Sequence, residues 1–230
     1  MSARAASILS SKRFTIERIL PDRIDYNILN NWIEYCEDNH TGCQSMVGNA
    51  VIPNLKLIDC TSMQIIGAEP HHKYATLSYV WGSSVQDDSK ATLFSGLSQL
   101  PQVIQDSINI AKRLNIQYLW VDRYCIPQDD RAEKHKQIIN MHLIYANAVV
   151  TFIASAGENP SYGLPGAPGS RKRRAQSAVR VGNQQFTSTG GAPTFLLRRS
   201  KWWKRAWTYQ EALLSRRCLV FTDDKVLFQC

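Results

Sequence analysis

The sequence predicts an α/β protein: a three-layer, mostly parallel sheet flanked by helices, with an N-terminal helical extension and a basic insertion loop. Three observations carry this. Short runs rich in β-branched and aromatic residues alternate with longer segments of helical period from Tyr74 onward. Such strand–helix alternation implies parallel strands joined by right-handed crossovers and covered by helices. A separate helical pattern precedes the alternating part. From Asn159 to Gln210 the chain carries no Asp or Glu but ten Lys or Arg.

Taken in order, Tyr26 to Asn39 has apolar residues at 28, 29, 32, 33 and 36, which is helical spacing. Leu55–Asp59 and Met63–Ile66 read as a short hairpin around Thr61-Ser62. Tyr74–Trp81 is a strand, and Leu100–Leu114 a helix with Pro101 at its start. Tyr118–Asp122 is the next strand. Arg131–Ala146 is a helix presenting Ile138, Met141, His142 and Tyr145 on one face, and Val149–Ser155 is a buried strand. A Gly- and Pro-rich loop leads to a helix opened by Ser200 and running to about Leu214. Leu219–Thr222 and Val226–Gln229 are strands joined by a turn at Asp223-Asp224. Residues 1–69 form an extension packed on the core. Residues 70–230 form the domain, with 157–199 as the basic insertion. The chain stops just after a strand, which points to a longer protein.

At 230 residues and 44% hydrophobic content, with six Trp, the chain is globular with a real core. No apolar run approaches the roughly 20 residues a membrane span needs. The first sixteen residues lack acid and contain Arg4, Lys12 and Arg13, a composition shared with mitochondrial presequences and with basic N-termini. No apolar signal core is present, so the expected location is the cytoplasm. The net charge of +8 belongs to the acid-free segment, because elsewhere 17 basic residues face 19 acids. Its densest run, Arg171–Arg174, flanked by Gly, Pro and Ser, reads as a solvated loop that would attract phosphates. Aromatic residues are interleaved with it only near Trp202 and Trp203, so nucleic acid is not an expected partner. Six cysteines, at 36, 43, 60, 125, 218 and 230, are too few for a disulfide scaffold and are expected as free thiols.

In parallel sheets covered by helices, ligands bind beyond the carboxyl ends of the strands. Those ends are Tyr79-Val80-Trp81-Gly82, Asp122-Arg123-Tyr124-Cys125 and Ser155-Ala156-Gly157. The helix that follows the third strand carries Glu211, one turn beyond Trp207. A carboxylate beside so much positive charge suits the mouth of a site for an anionic ligand such as a dinucleotide. It equally suits a helix residue paired with Arg205, Lys204 or a basic loop.

Together these motifs resemble the fungal heterokaryon-incompatibility (HET) domain. The resemblance rests on Tyr74-Ala75-Thr76-Leu77-Ser78-Tyr79-Val80-Trp81-Gly82, the Leu100-Pro101 helix start, and Tyr118 to Asp130. Met141, Ile144-Tyr145, Ala148, Gly163-Leu164-Pro165 and Arg205 to Glu211 complete it. The upstream Trp32, Cys36, His40 and Cys43 spacing also resembles the region preceding many such domains. The resemblance implies a role in non-self recognition and programmed cell death, and distant kinship with TIR domains, some of which hydrolyse NAD+. It therefore implies a TIR-like, flavodoxin-like sheet, with the Trp207–Glu211 helix matching the TIR helix that bears the catalytic glutamate. Two departures stand out: about 45 residues between the third strand and this helix, where TIR domains have a short loop, and the added N-terminal extension.

The resemblance implies Glu211 as catalytic residue of an NAD+ glycohydrolase. Tyr79, Trp81, Gly82, Ser83, Asp122, Arg123, Cys125, Arg205, Trp207 and Gln210 would line the substrate. NAD+ would be a substrate, with no prosthetic group. Self-association would be needed for activity, and an upstream recognition protein or a C-terminal region outside this chain would act with it. The alternative is a non-catalytic death-signalling module working through protein contacts. A third reading makes residues 171–205 a binder of anionic lipid or nucleic acid. Trp81 and Trp207 suit either stacking on a base or the core. Asp122 and Arg123 suit either ribose and phosphate or a helix cap and salt bridge. Cys125 with His142 and Asp122 invites a thiol-hydrolase reading, but nothing in the sequence lowers the thiol pKa. No metal is expected. Cys36, His40 and Cys43 with Cys60 are the candidate set, without the paired Cys-x2-Cys spacing of most zinc sites.

Overall fold

The computed structural model describes residues 23–44, 52–82, 100–188 and 197–230. Helix α1 (Tyr26–Asn39) begins where the Asp25 carboxylate accepts the backbone N–H groups of Asn27 and Ile28, at 2.9 and 3.3 Å. Its buried stripe is Leu29, Ile33 and Cys36. Strands β1 (Lys56–Asp59) and β2 (Gln64–Gly67) form the expected hairpin. Asp59 turns the chain by accepting from Thr61 and Ser62 at 2.8 and 3.3 Å. Then come β3 (Tyr74–Ser78), α2 (Gln102–Arg113), β4 (Tyr118–Trp120), α3 (Asp122–Cys125), α4 (Arg131–Ile139), α5 (Met141–Asn147) and β5 (Val150–Ala154). Strands β6 (Ala178–Val181) and β7 (Gln184–Thr187) form a separate hairpin, followed by α6 (Ala206–Leu214), β8 (Cys218–Phe221) and β9 (Val226–Gln229).

The main sheet has seven strands in the order β2-β1-β4-β3-β5-β8-β9. Strands β4, β3, β5 and β8 are mutually parallel, while β2, β1 and β9 join antiparallel at the two ends. The sheet is therefore mixed rather than mostly parallel. β1–β2 and β8–β9 are hairpins, whose short turns permit only antiparallel pairing, and β1 also runs antiparallel to β4.

The polar break at Asn140 corrects the single helix expected over 131–146. Asn140 caps α4 with ψ near zero, and its side-chain amide donates to Lys136 O at 3.0 Å. His142 consequently lies exposed, its Nδ1 2.8 Å from Ile139 O, and not on the apolar face. The strand expected to reach Asp122 stops at Trp120, because Asp122 opens α3. The helix expected from Ser200 starts only at Ala206. Ser200 instead closes a turn, donating to Leu197 O at 2.6 Å and accepting from Trp203 N–H at 3.1 Å.

Strands β3 and β5 are buried along their whole length. The register sets Thr76, Ser78, Thr151, Ile153, Cys218 and Val220 on one face of the sheet. Helices α5 and α6 cover this face: Trp120 packs edge-on against Tyr145, and Ser215 hydrogen-bonds Thr151. The alternate residues Ala75, Leu77, Phe152 and Leu219 join the main core with the buried sides of α1 and α2. Among the described residues no helix is long and apolar enough to cross a membrane.

The basic run at 171–174 is tied to the fold rather than only solvated. Arg171 stacks 3.6 Å from the Tyr162 ring centroid and donates to Tyr162 O at 3.0 Å. Arg174 donates its N–H to Asp223 O and faces both Asp223 and Asp224, at 3.9 and 3.7 Å. Upstream, the buried Asp106 carboxylate of α2 accepts from Gln102 at 2.8 Å and from Leu164 N–H at 2.7 Å, holding the Gly163-Leu164 corner. Gly163 has φ +75°, and a Cβ there would meet the Asp106 carboxylate at 2.5 Å. Gly163→Ala is expected to destabilise the protein by about 2–3 kcal/mol, read as a lower urea midpoint.

Candidate functional site

A ladder of hydroxyls fixes α6 over the parallel strands. Ser215 donates to Glu211 O at 2.7 Å, so Thr151 must donate to Ser215 at 2.6 Å and Thr76 to Thr151 at 2.7 Å. One turn before Ser215, this brings Glu211 to the carboxyl end of β3. Ser78, the last residue of β3, donates its hydroxyl to Glu211 Oε2. The Trp202 indole N–H donates to Ser78 Oγ at 2.7 Å, so the hydroxyl is oriented from both sides. Glu211 is only 7% exposed. Burial raises its pKa, opposed by the Ser78 hydrogen bond and the Arg205 charge.

A second carboxylate lies nearby. Asp122, at the start of α3, accepts the Trp81 indole N–H at 3.0 and 3.2 Å and the Arg123 backbone N–H at 2.7 Å. The Arg123 guanidinium sits 5.9 Å from the Trp81 ring centroid. Burial and the Glu211 charge push the Asp122 carboxyl up to about 7, against the Arg123 N–H, Trp81 and Arg205. Arg205, the residue before α6, donates to Tyr79 O at 2.7 Å. It ties the end of β3 to the start of α6 while lying close enough to lower both acids. The Tyr79 and Tyr145 hydroxyls are buried without a hydrogen-bond partner among the described residues. Tyr145 feels the charge of both Glu211 and Asp122. Both hydroxyls therefore keep unused hydrogen-bonding capacity near the two carboxylates.

The structure thus brings together Glu211, Tyr79, Trp81, Asp122, Arg123 and Arg205. Gly82, four residues beyond β3, has φ +79°, and a Cβ there would press on Pro160 at 3.1 Å. Ser83 and the side chains of Trp207 and Gln210 lie outside the described residues. Cys125 departs from its expected role. It is the buried last residue of α3, its sulfur accepts from Val121 N–H at 3.4 Å, and burial pushes its thiol up to about 12. With His142 exposed and turned to Ile139 O, no thiol-hydrolase arrangement forms. Ser78, Trp202 and Tyr145 were not singled out from the sequence. The available signal was the placement of Thr76 and Ser78 at alternate positions of an otherwise apolar strand. A cleft of about 470 Å³ lies at the carboxyl ends of β5 and β8, lined by Ser155–Glu158, Tyr162, Arg174, Arg199–Lys201 and Thr222–Asp224, none of them among the residues just described.

The Asp122 environment has a consequence for stability. Its pKa is near 3.9 in an unfolded chain and about 7 in the fold, so the unfolded chain ionises first as pH rises. The favourable contribution is complete below about pH 4 and is lost as pH rises towards 7. Asp122→Asn is expected to remove this loss. Urea midpoints measured from pH 4 to 8 should show the variant gaining on the parent protein as pH increases.

The heterokaryon incompatibility protein (HET) family model matches residues 74–211. No curated protein and no solved structure matches the chain. The matched span begins with β3 and ends on Glu211, so it encloses both carboxylates and every residue that positions them, apart from Ser215.

Proposed function

The chain belongs to the heterokaryon incompatibility (HET) family, and on that premise we propose that it acts in fungal non-self recognition and programmed cell death by hydrolysing NAD+ at the nicotinamide–ribose bond. The observation that carries this reading is the position of Glu211. Numbered along the chain, the four parallel strands lie in the order second, first, third, fourth. That is the order of flavodoxin-like sheets, whose ligands bind between the first and third strands at their carboxyl ends. Those two strands are β3 and β5, and Ser78 at the end of β3 holds Glu211 there.

Cleavage breaks the C1′–N bond, and its electron pair neutralises the nicotinamide ring as it leaves. Positive charge develops on the ribose, and water adds to C1′ with loss of its proton. A carboxylate aimed at that ribose by Ser78 stabilises the charge without acting as a strong base. Tyr79, Tyr145, Asp122 and Arg123 supply polar groups for ribose and phosphate, and the Trp81 face supplies a stacking surface. NAD+ is a substrate here, and no prosthetic group is invoked. In the TIR-like scheme the active form is an assembly. The test is nicotinamide release from NAD+ by the purified chain over a concentration series. Release that rises more steeply than protein concentration supports the proposal, and no release at the highest concentration refutes it.

One observation favours the second reading, a non-catalytic assembly module. The β6–β7 hairpin exposes Val179, Val181 and Phe186, at 60, 63 and 54%, with Val179 directly opposite Phe186. Exposed paired apolar residues on a short hairpin suit a protein contact. Under this reading Val179→Asp with Phe186→Asp abolishes self-association, while Glu211→Gln leaves death signalling unchanged.

A further inference from the structure

At the opposite end of the sheet from Glu211, four metal-binding side chains meet that the sequence scatters. Cys36 lies in the last turns of α1, His40 ends that helix, and Cys43 closes the following 3₁₀ turn (Thr41–Cys43). Cys230 follows β9, nearly two hundred residues later. Their ligand atoms all lie within 4.8 Å of one another, and the Cys230 sulfur is 3.3 Å from His40 Nδ1. Cys60, the fourth ligand considered from sequence, stands apart: it is buried in the main core, its N–H bonded to Gln117 O. Cys230 takes its place. The correction follows from topology, because antiparallel pairing of β9 with β8 returns the chain to the amino end of β8.

We propose that Cys36, His40, Cys43 and Cys230 form a structural zinc site that fastens α1 to the last strand of the sheet. The donor set is three thiolates and one imidazole, which selects zinc in a closed tetrahedral site. A tetrahedron with zinc–sulfur arms of about 2.3 Å has edges of about 3.8 Å, so the four atoms are already near their bound separations. Binding displaces the three thiol protons to solvent.

The surroundings fit the bound state. Arg217, only 3% exposed, aims its Nε at the Cys36 sulfur at 3.2 Å. Its other nitrogens reach Val149 O at 3.0 Å, Cys43 O at 3.4 Å and the Glu37 carboxylate at 3.5 Å. Zn²⁺ with three thiolates carries a net charge of −1, a matching partner for a buried guanidinium. Arg216 also donates to Cys43 O, at 3.4 Å, fixing the turn that presents Cys43. Trp32, one turn before Cys36, stacks on Phe228 of β9 with centroids 5.9 Å apart, setting the helix against the strand. A disulfide explains the cluster less well, since three thiols leave one unpaired and the histidine without a role.

The test is metal analysis of the chain purified without chelator, followed by cobalt substitution. The proposal predicts about one zinc per chain and, with Co²⁺, the thiolate charge-transfer and tetrahedral d–d bands. Cys43→Ser and Cys230→Ser are each expected to weaken zinc binding by more than about tenfold, while Cys60→Ala retains it. Cys230 is exposed and follows the last strand, so its variant keeps the fold even if Cys43→Ser does not. Folded protein without bound zinc after refolding with the metal would overturn the proposal. So would zinc retained unchanged by Cys230→Ser, or a disulfide linking these cysteines.

Discussion

Trp202→Ala is expected to destabilise the protein by about 3–5 kcal/mol, among the largest effects of any single substitution here. Trp202 is 1% exposed and packs with Ile153, Cys218 and Val220 on the face of the sheet that α6 covers. Truncation leaves a cavity against the buried Ile153, Cys218 and Val220 side chains. It also removes the N–H that orients Ser78. Trp202→Phe separates these contributions. It restores much of the volume but not the donor, so a smaller loss of about 1–2 kcal/mol is expected. Urea unfolding of both variants measures each contribution, and the proposed reaction should suffer in both, because the orientation of Glu211 depends on Ser78.

The second large effect is expected from Ser78→Ala. The hydroxyl stabilises ionised Glu211, and its removal leaves burial less opposed. The Glu211 pKa, already raised, rises further. Turnover should therefore fall about 10²-fold, the range for loss of one preorganised hydrogen bond, and its acid limb should move to higher pH. A merely structural Ser78 would lower stability without moving that limb. The pH profile of NAD+ hydrolysis by the variant decides between the two.

Much of the fold was legible because local signals and tertiary packing agreed. Helix α1 carried a clear periodicity, its predicted limits match, and the structure adds the Asp25 cap that starts it. Strands β3 and β5 announced themselves as short apolar runs. The sequence misled where one polar residue outweighed a periodic pattern. Asn140 divides what reads as one helix, and Ser200, a good cap by composition, closes a turn several residues too early. The mixed character of the sheet was missed for a different reason. The hairpins were recognised, but nothing local says that their strands extend the central sheet at both ends.

The candidate site was legible in outline and not in its connections. Glu211, Asp122, Trp81 and Arg205 stood out as polar or aromatic residues at the sheet edge. Their partnering was invisible, since Ser78 and Glu211 are 133 positions apart and only the register of β3 under α6 joins them. Cys125 illustrates the opposite error. It sits at a strand end as expected, but the short α3 turn buries its sulfur. The zinc-type cluster shows the same limit: three ligands are close in sequence, and the fourth follows a strand that only the sheet topology brings beside them.

Of all measurements, nicotinamide release by wild-type and Glu211→Gln protein at equal high concentration tests the central claim most directly. Glutamine keeps the size of the side chain and an acceptor for Ser78, so circular dichroism and assembly should be preserved. The account predicts turnover in the wild type and a loss of at least about 10²-fold in the variant. Equal turnover in the two proteins would contradict it and remove Glu211 from the chemistry.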